Sequence, residues 1–450
     1  MHNRTTRILL AIGGLLVLAV GLYFLPPVHD RLVWHLPIWR NRIVHALNPP
    51  DEAVFVPSGQ QPGVSRTPRP TATVTPTPAG PTGMPAPTLS PTVTPTPLPS
   101  AVTLPGVVYV HQHNRWNYCG LANLTMALRY WGWEGKTGST VDLRDQIAAV
   151  IKPGNSDPDL GFIDRGKTDK NVMPYELASF VADETNYNIV VRNGGDLDLL
   201  KKLIASGFPV VVEKGYFERD YTGKVGWMGH YLYTTGYDDQ QETFLVQDSY
   251  LEPGNNLKVK YEDYLDGWRS FDYLFYVVYP PERESEVYSL LADWGSPEWA
   301  NQRALVIADD EIGQKSGIDL FFAWFNKGTS HVNLLQYGEA AAAFDEAFQG
   351  YAALGDGDLQ RPYRMMWYQT GPYKAYYYTG RYQDVVDLAD TTLATTDCKD
   401  CLEESLYWRG LAKEALGDHA GAVADLRRAL YLNPKFAAAY DGLAQIGATP

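Results

Sequence analysis

The chain has 450 residues, about three times the length of a typical domain of roughly 150. Hydrophobic residues make up 45% and charged residues 20%, which excludes wholesale disorder and a polytopic membrane protein. The net charge of -14 argues against a nucleic-acid partner, because phosphate contacts need clustered Lys and Arg. Three cysteines are too few for a disulfide scaffold.

The first 50 residues contain an apolar run without charge, from Ile8 to Leu25. At a helical rise of ~1.5 Å per residue it reaches roughly 27 Å, close to the hydrocarbon thickness of a bilayer. Residues 1–50 are therefore predicted to be a membrane anchor with its span at about 8–25. A cleaved signal peptide is the alternative, but the small residues of a cleavage site do not follow the run.

Residues 51–105 are predicted to be a disordered linker rich in Pro and Thr. From Pro57 to Pro105 the chain contains no aromatic and no acidic residue, so this stretch cannot bury a core. Proline-rich spacers are semi-rigid, and such stalks commonly carry an outward-facing domain away from a membrane. The predicted location is the cell membrane, crossed once, with the C-terminal domains on the extracytoplasmic side.

Residues 106–281 mix strand and helix patterns and are predicted to form one α+β domain. Runs rich in β-branched and aromatic residues predict strands; the runs are 107–110, 187–191, 209–212, 230–237, 243–248 and 273–278. Apolar residues at helical spacing predict helices at about 119–131, 141–151, 174–184 and 197–206.

Residues 282–450 are Ala-rich with helical periodicity, and three segments in them share a spacing of small and aromatic residues. The first centres on Gly328 and Phe344, the degraded second on Gly380 and the third on Gly417. This spacing resembles the tetratricopeptide repeat, a helix-turn-helix unit of about 34 residues. The resemblance implies either a groove for a peptide or protein segment, or a stack that merely stabilises its neighbour.

Cys398 and Cys401 stand just before the third repeat, in a Cys-x-x-Cys arrangement. Because a second pair of zinc ligands is missing, a disulfide or two free thiols is predicted rather than a metal site. No metal and no organic cofactor is indicated elsewhere in the sequence.

Cys119 lies in the segment Trp116-Asn117-Tyr118-Cys119-Gly120, where a loop gives way to a predicted helix. Unpaired N–H groups and the helix dipole favour an anion in the first turn, so a thiolate is stabilised there and can act as a nucleophile. The alternative is a buried structural cysteine at a strand-to-helix turn.

A cysteine nucleophile needs a base, and three histidines are candidates: His111, His113 and His230. His111 and His113 alternate near the end of a predicted strand, where a surface position explains both. His230 opens a predicted strand whose return strand ends at Asp248. A hairpin centred on Asp239 would set His230 directly opposite Asp248, where a carboxylate can orient the imidazole.

Three motifs in this order resemble the cysteine peptidases of family C thirty-nine and their relatives, which are papain-like and include bacteriocin leader processors. They are Trp116-Asn117-Tyr118-Cys119-Gly120, Gly229-His230-Tyr231 with Gly236-Tyr237-Asp238-Asp239, and Val246-Gln247-Asp248. The resemblance covers about 106–281. It implies a helix that bears the cysteine and packs on an antiparallel sheet.

The resemblance also implies the roles of the site residues. Cys119 is the nucleophile, His230 the general base and Asp248 the residue that orients it. An amide side chain before the cysteine should help to form the oxyanion hole. Asn114 matches the family's spacing, whereas Gln112 matches its residue type.

These features predict a membrane-anchored, extracytoplasmic cysteine peptidase that hydrolyses a peptide bond, with repeats that bind a protein. Its partners would be a peptide or protein substrate, the membrane and a protein in the repeat groove. Two alternatives stay open: an inactive papain-like module that binds peptides, and an acyltransferase that uses the same triad. Leu121 and Ser249 stand where the family often has proline.

Overall fold

The computed structural model describes residues 54–58, 97–113, 115, 117–153, 172–219, 225–355, 361–396 and 400–450, together with residues 14, 21, 23 and 28. The predicted membrane span from Ile8 to Leu25 lies almost wholly outside these described residues. Among the residues that are described, no helix combines the length and the apolar character needed to cross a membrane.

An antiparallel sheet forms the centre of the first domain. Its strands are β1 (Ala101–Thr103), β2 (Asn188–Arg192), β3 (Val210–Arg219), β4 (Val225–Asp238), β5 (Thr243–Gln247), β6 (Leu257–Lys260) and β7 (Phe275–Tyr279). Six of them follow the order β2-β7-β3-β4-β5-β6, and β1 pairs with β4. All of these pairings are antiparallel.

Helices cover both faces of this sheet. They are α1 (Cys119–Tyr130), α2 (Leu143–Ile151), α3 (Pro174–Glu184), α4 (Leu197–Ala205) and α5 (Tyr261–Arg269). On one face, Leu121 and Leu124 of α1 share a core with Tyr231 and Tyr276 of the sheet. On the other face, α4 and α5 pack against β3 and β4. The predicted α+β fold, with the cysteine-bearing helix on an antiparallel sheet, is confirmed.

Local chemistry explains where these helices begin and end. The Asp196 carboxylate accepts a hydrogen bond from the Leu199 N–H at 2.8 Å and caps α4. Pro174 opens α3, where its missing N–H is not needed. Gly132 follows α1 with a φ of 91°, a left-handed conformation that glycine adopts without strain. The four predicted helices of this domain are thus confirmed to within about two residues.

The first predicted strand is wrong. Residues 107–110 belong to no strand, and β1 lies instead at Ala101–Thr103, within the predicted linker. Composition alone did not reveal that residues Gly236–Asp238 of β4 offer backbone hydrogen-bond partners to Ala101–Thr103. Gly236 permits the approach, because a Cβ there would lie only 2.5 Å from the Val102 carbonyl oxygen.

The predicted register of the β4–β5 hairpin is also wrong. Asp238 pairs with Thr243, so four residues form the turn, and a bulge lies between Thr234 and Gly236. The Asp238 carboxylate accepts hydrogen bonds from the N–H groups of Gln240 and Gln241, which moves the centre of the turn towards β5. Tyr233 pairs with Gln247, the last residue of β5, so Asp248 lies beyond the ladder.

The second domain is helical. Its helices are α6 (Glu284–Leu291), α7 (Pro297–Ile312), α8 (Gly317–Asn333), α9 (Tyr337–Ala353), α10 (Met365–Tyr368), α11 (Gly371–Tyr378), α12 (Tyr382–Ala394), α13 (Glu403–Ala415), α14 (His419–Leu432) and α15 (Ala437–Gln445). The three predicted repeats correspond to the pairs α8–α9, α11–α12 and α13–α14. In the first pair, a Cβ on Gly328 would meet the Phe344 ring at 2.6 Å, so the small residue lets these helices approach.

A second part of the predicted linker docks on the helical domain. Phe55 is buried and packs edge-on against Phe348, with ring centroids 5.1 Å apart. The N–H and the Oγ of Ser58 each donate a hydrogen bond of 2.8 Å to the Asp384 carboxylate. Residues 54–58 therefore belong to the fold, because their aromatic ring finds a hydrophobic site that the linker composition does not indicate.

Buried polar contacts join the two domains. Lys152 of the first domain forms ion pairs with Glu176 at 3.2 Å and with Glu403 of the helical domain, and all three side chains are buried. Arg364 donates a hydrogen bond to the Trp227 carbonyl, and Gln369 donates one to the Ser270 carbonyl. The segment around α10 is thus held against strand β4, next to the predicted site.

Candidate active site

Cys119 is the first residue of α1, is half-buried and is a free cysteine. Asn117, two residues earlier, has a left-handed φ of 56°, which turns the chain sharply into the helix. The Asn123 side chain donates to the carbonyls of Cys119 at 2.8 Å and of Tyr231 at 2.9 Å. These bonds fix the first turn of α1 to strand β4, beside His230.

His230 and Asp248 form the second part of the site. His230 lies on β4 and is 4% exposed, and its Nε2 lies 3.0 Å from Asp248 Oδ1. The Asp248 carboxylate also accepts hydrogen bonds from the N–H groups of Tyr250 at 2.8 Å and Leu251 at 3.2 Å. The residues therefore meet through a turn after β5, rather than as the cross-strand pair that the sequence predicted.

This turn is fixed by bonds to its own backbone. The Asp248 N–H donates to the Gly254 carbonyl at 2.7 Å, and the Tyr109 hydroxyl donates to the Asp248 carbonyl at 2.9 Å. A Cβ on Gly254 would lie 1.9 Å from that same Asp248 oxygen, so the close return of the chain requires glycine. The carboxylate is thereby directed at the imidazole.

The charges of the site support one another. Burial by itself lowers the pKa of His230, but the Asp248 carboxylate and a hydrogen bond with Cys119 outweigh it and raise the pKa to about 10. Burial by itself raises the pKa of Asp248, but His230 and the two backbone N–H groups lower it to about 2. The imidazole is therefore cationic and the carboxylate anionic at neutral pH.

The substitution Asp248→Asn is expected to lower the pKa of His230, because it removes the strongest influence that raises it. In the wild type, the His230 resonance should stay that of the imidazolium from pH 6 to 8. In the variant it should titrate within or below this range. NMR of ¹³C-labelled histidine, assigned with a His230→Gln variant, measures both midpoints, and equal midpoints would refute the electrostatic account.

Of the two amide residues predicted to stabilise the oxyanion, the structure describes only Gln112. Asn114 lies outside the described residues. Gln112 is buried, its N–H donates to the Ser249 carbonyl at 2.7 Å, and its Oε1 accepts from the Ser249 hydroxyl at 2.9 Å. The second bond uses the side-chain oxygen of Gln112, whereas an oxyanion donor needs the side-chain nitrogen.

The other two histidines lie beside the turn that carries Asp248. His111 and His113 stack with ring centroids 4.8 Å apart, and His113 Nε2 lies 3.0 Å from the Tyr250 carbonyl oxygen. Tyr250 in turn stands edge-on to His230, at 6.5 Å between ring centroids. His111 and His113 therefore adjoin the site, but the histidine in hydrogen-bond contact with Cys119 is His230.

Sequence reasoning missed three residues around the thiol. Glu213 is buried on β3 and interacts electrostatically with Cys119. The Tyr216 ring lies edge-on to His230 at 5.6 Å, and Tyr368 comes from helix α10 of the second domain. Glu213 had a visible signal, since this acidic residue directly follows the apolar run Val210–Val212 of a predicted strand. Tyr368 had none, because a contact between domains leaves no local pattern.

Two family models match separate parts of the chain. Residues 105–275 match the model of the Peptidase_C39 like family, and residues 403–436 match a tetratricopeptide repeat. The chain thus carries a C39-like peptidase domain with an antiparallel sheet, followed by a helical region with a tetratricopeptide repeat. The resemblance deduced from the sequence motifs is confirmed for both parts.

A solved structure described as a C39-like peptidase from Bacillus anthracis is 20% identical to this chain. The match covers 40% of this chain and 96% of that chain, with a TM-score of 0.28. No curated protein matches the chain.

The other sequence predictions concern cysteines and metals. Cys401 is buried and disulfide-bonded, in agreement with one of the two predicted states, while Cys398 lies outside the described residues. Within the described part of the chain, no group of three or more His, Cys, Asp or Glu side chains is arranged to hold a metal ion.

Proposed function

We propose that the chain is a cysteine peptidase that uses Cys119 as nucleophile, His230 as general acid and base, and Asp248 to orient the imidazole. One observation supports this proposal above the others: His230 contacts both the Cys119 side chain and the Asp248 carboxylate. A cationic imidazole between a sulfur and a carboxylate is the arrangement that generates a reactive thiolate.

In the proposed reaction, the Cys119 thiolate attacks the carbonyl carbon of a peptide bond, a C–S bond forms and the carbonyl oxygen becomes an oxyanion. The C–N bond then breaks, and His230 gives its proton to the leaving amine. Since Nε2 faces Asp248, this proton comes from Nδ1. Water attacks the thioester as His230 takes back a proton, which releases the acid and restores the thiolate.

Oxyanion stabilisation is proposed to come from the N–H groups at the start of α1 and from an amide side chain before Cys119. Asn114 and Gln112 remain the two candidates for this second donor. A missing donor of this kind typically costs ~3–4 kcal/mol of transition-state stabilisation. The identity of the amide therefore decides how fast the enzyme turns over.

The proposed setting is the extracytoplasmic face of a membrane, with the segment 8–25 as anchor and the Pro/Thr-rich segment as spacer. The charge-free apolar run supports the anchor. The helical repeats are proposed to bind a protein or peptide segment, which their stacked helix pairs can accommodate.

A library of peptides digested from a proteome, incubated with the chain, tests the proposal without a known substrate. New N-termini, identified by mass spectrometry, should appear with the wild type and be absent with Cys119→Ala. Equal patterns for both would refute hydrolysis by Cys119. Added glycinamide distinguishes an acyltransferase, because its amine would replace water and leave amide-capped products.

A further inference from the structure

A cavity of about 1060 Å³ lies between the peptidase-like domain and the helical domain. Residues of helix α3, such as Tyr175 and Ser179, form one wall. The helical domain supplies the opposite wall through residues that include Gly371 and Tyr407. A volume of this size is in the range of sites that bind small molecules or several residues of a peptide.

The inner end of this cavity is formed by neighbours of the proposed catalytic residues. Tyr368 and Phe271 both line the cavity and together account for the glycine before His230. A Cβ on Gly229 would lie 2.7 Å from the Phe271 ring and 3.0 Å from the Tyr368 ring. Glu213 lines the same cavity and pairs across the sheet with Tyr231, the residue after His230. The cavity therefore reaches two side chains, Glu213 and Tyr368, that interact electrostatically with Cys119.

Glu213 is an unusual wall residue. It is 2% exposed, and burial together with the charge of Cys119 raises the pKa of its carboxyl well above the usual range. The Tyr231 hydroxyl, which lies across the sheet from Glu213, donates its single proton to the Val172 carbonyl at 2.9 Å. Within the described residues, Glu213 Oε1 has no hydrogen-bond partner.

We propose that the inner end of the cavity is a substrate subsite, in which Glu213 Oε1 accepts a hydrogen bond from a peptide N–H and Tyr368 forms the facing wall. A buried acceptor without a hydrogen bond raises the free energy of the unbound protein, and a hydrogen bond from a peptide N–H removes that penalty on binding. This inference rests on the proposed peptidase function. It also gives the helical domain a direct part in substrate binding.

The test compares the reactions of two reagents with the full chain. Iodoacetamide reports only the reactivity of the thiol. An N-acetyl-dialanyl acyloxymethyl ketone also carries peptide N–H groups that can bind the subsite. The peptidyl ratio, defined as the rate constant of Cys119 with the ketone divided by its rate constant with iodoacetamide, measures how much binding of the peptide part accelerates the reaction. Glu213→Met, which lacks the acceptor, should lower the peptidyl ratio about tenfold. Glu213→Gln, which keeps a neutral acceptor of the same size, should restore most of it. Tyr368→Ala should also lower the ratio.

An unchanged ratio in Glu213→Met, or an equal loss in Glu213→Gln, would overturn the subsite. Failure of the proposed function is a separate result, in which iodoacetamide labels native Cys119 no faster than an unfolded cysteine. A surface variant, Glu298→Gln on helix α7, controls for the loss of a carboxylate, and circular dichroism confirms that each variant is folded.

A second inference depends on different residues, namely the segment 54–58 on the helical domain. Phe55 and Pro57 are buried while Val56 is 47% exposed, so the segment lies extended with alternate side chains inward. Phe348, Tyr376 and Asp384 receive it from helices α9, α11 and α12. Arg381 pairs with the same Asp384 carboxylate at 2.6 Å and so orients it.

We infer that this surface is a binding site for extended peptides of the pattern Phe-x-Pro-Ser, which the chain's own residues occupy. An occupant tethered to its site has an effective concentration that reaches the millimolar range, so it excludes a free competitor. Release of the segment would lengthen the Pro/Thr-rich spacer. Residues 59–96 now join residue 58 to residue 97, both of which belong to the folded part of the chain, so they add no reach while the segment is bound.

A dye-labelled peptide with the sequence of residues 52–60 tests the site by fluorescence anisotropy. The full chain carrying Phe55→Ala and Ser58→Ala should bind it at least tenfold more tightly than the wild type does. In the peptide itself, Phe55→Ala should abolish binding and Val56→Ala should not. Equal affinity of both chains, or no binding to the emptied chain, would refute the inference.

Discussion

Replacement of His230 by alanine is expected to lower the rate of Cys119-dependent peptide cleavage by a factor of about 10² to 10⁴. The imidazole is the group that holds the thiolate as its counterion and that protonates the leaving amine. Its contacts with Cys119 and Asp248 leave no second base in an equivalent position among the described residues. The measurement is the initial rate on a peptide chosen from the cleaved members of the library.

His419→Ala is the matched control for this substitution. His419 lies at the start of α14 in the helical domain with its side chain 58% exposed, and it pairs with Glu414 at 2.9 Å. The cleavage rate should be unchanged in this variant. If His230→Ala retained more than a tenth of the wild-type rate, the general acid and base would have to be another group.

Lys152→Met is expected to lower the free energy of unfolding by about 3–5 kcal/mol. Lys152 is the cation between Glu176 and Glu403, and the substitution would leave two buried carboxylates without their shared counterion. Burial already raises the pKa of Glu176 to about 7. Because Glu176 binds its proton more tightly in the folded than in the unfolded chain, the loss should be greatest at pH 8 and smaller at pH 5.

The matched control is Lys136→Met, which removes a pair of 3.9 Å between Lys136 and Glu184. The Lys136 side chain is 68% exposed, so this pair should contribute less than ~1 kcal/mol. Urea unfolding at pH 5 and pH 8 compares the two variants. Equal stability of Lys152→Met and Lys136→Met would show that the buried ion pairs do not hold the domains together.

Much of the fold could be predicted because strands β2, β3, β4, β5 and β7 carry runs of β-branched and aromatic residues, and the helices carry apolar spacing and caps. The strand Ala101–Thr103 escaped prediction because its pairing depends on the exposed edge of β4. Phe55 escaped for a similar reason, since a single aromatic residue near a proline-rich segment gives no sign of the site that receives it.

The site residues were found from residue chemistry and motif order, yet the reasoning that joined His230 to Asp248 was only partly correct. A cross-strand pair was predicted, but the bulge at Thr234 and the four-residue turn shift the ladder. The contact exists because the chain turns after Gln247 and directs the carboxylate back. Turn geometry depends on a few hydrogen bonds, so the sequence pattern constrains it weakly.

Residues that come from distant segments were beyond the reach of sequence reasoning. Tyr368 follows His230 by more than a hundred residues, and nothing near it suggests contact with Gly229. The ion pairs of Lys152 likewise depend on how two domains dock. Local patterns specify elements, whereas packing between elements decides which side chains surround the thiol.

The rate of alkylation of Cys119 by iodoacetamide at pH 6 tests the central claim most directly. An ordinary thiol with a pKa of about 8.5 is almost entirely protonated at this pH and reacts slowly. In the native chain the imidazolium of His230 should keep the sulfur reactive, so alkylation should be at least about tenfold faster than in urea-unfolded chain. Native Cys119 that reacts no faster than the unfolded thiol would contradict the account.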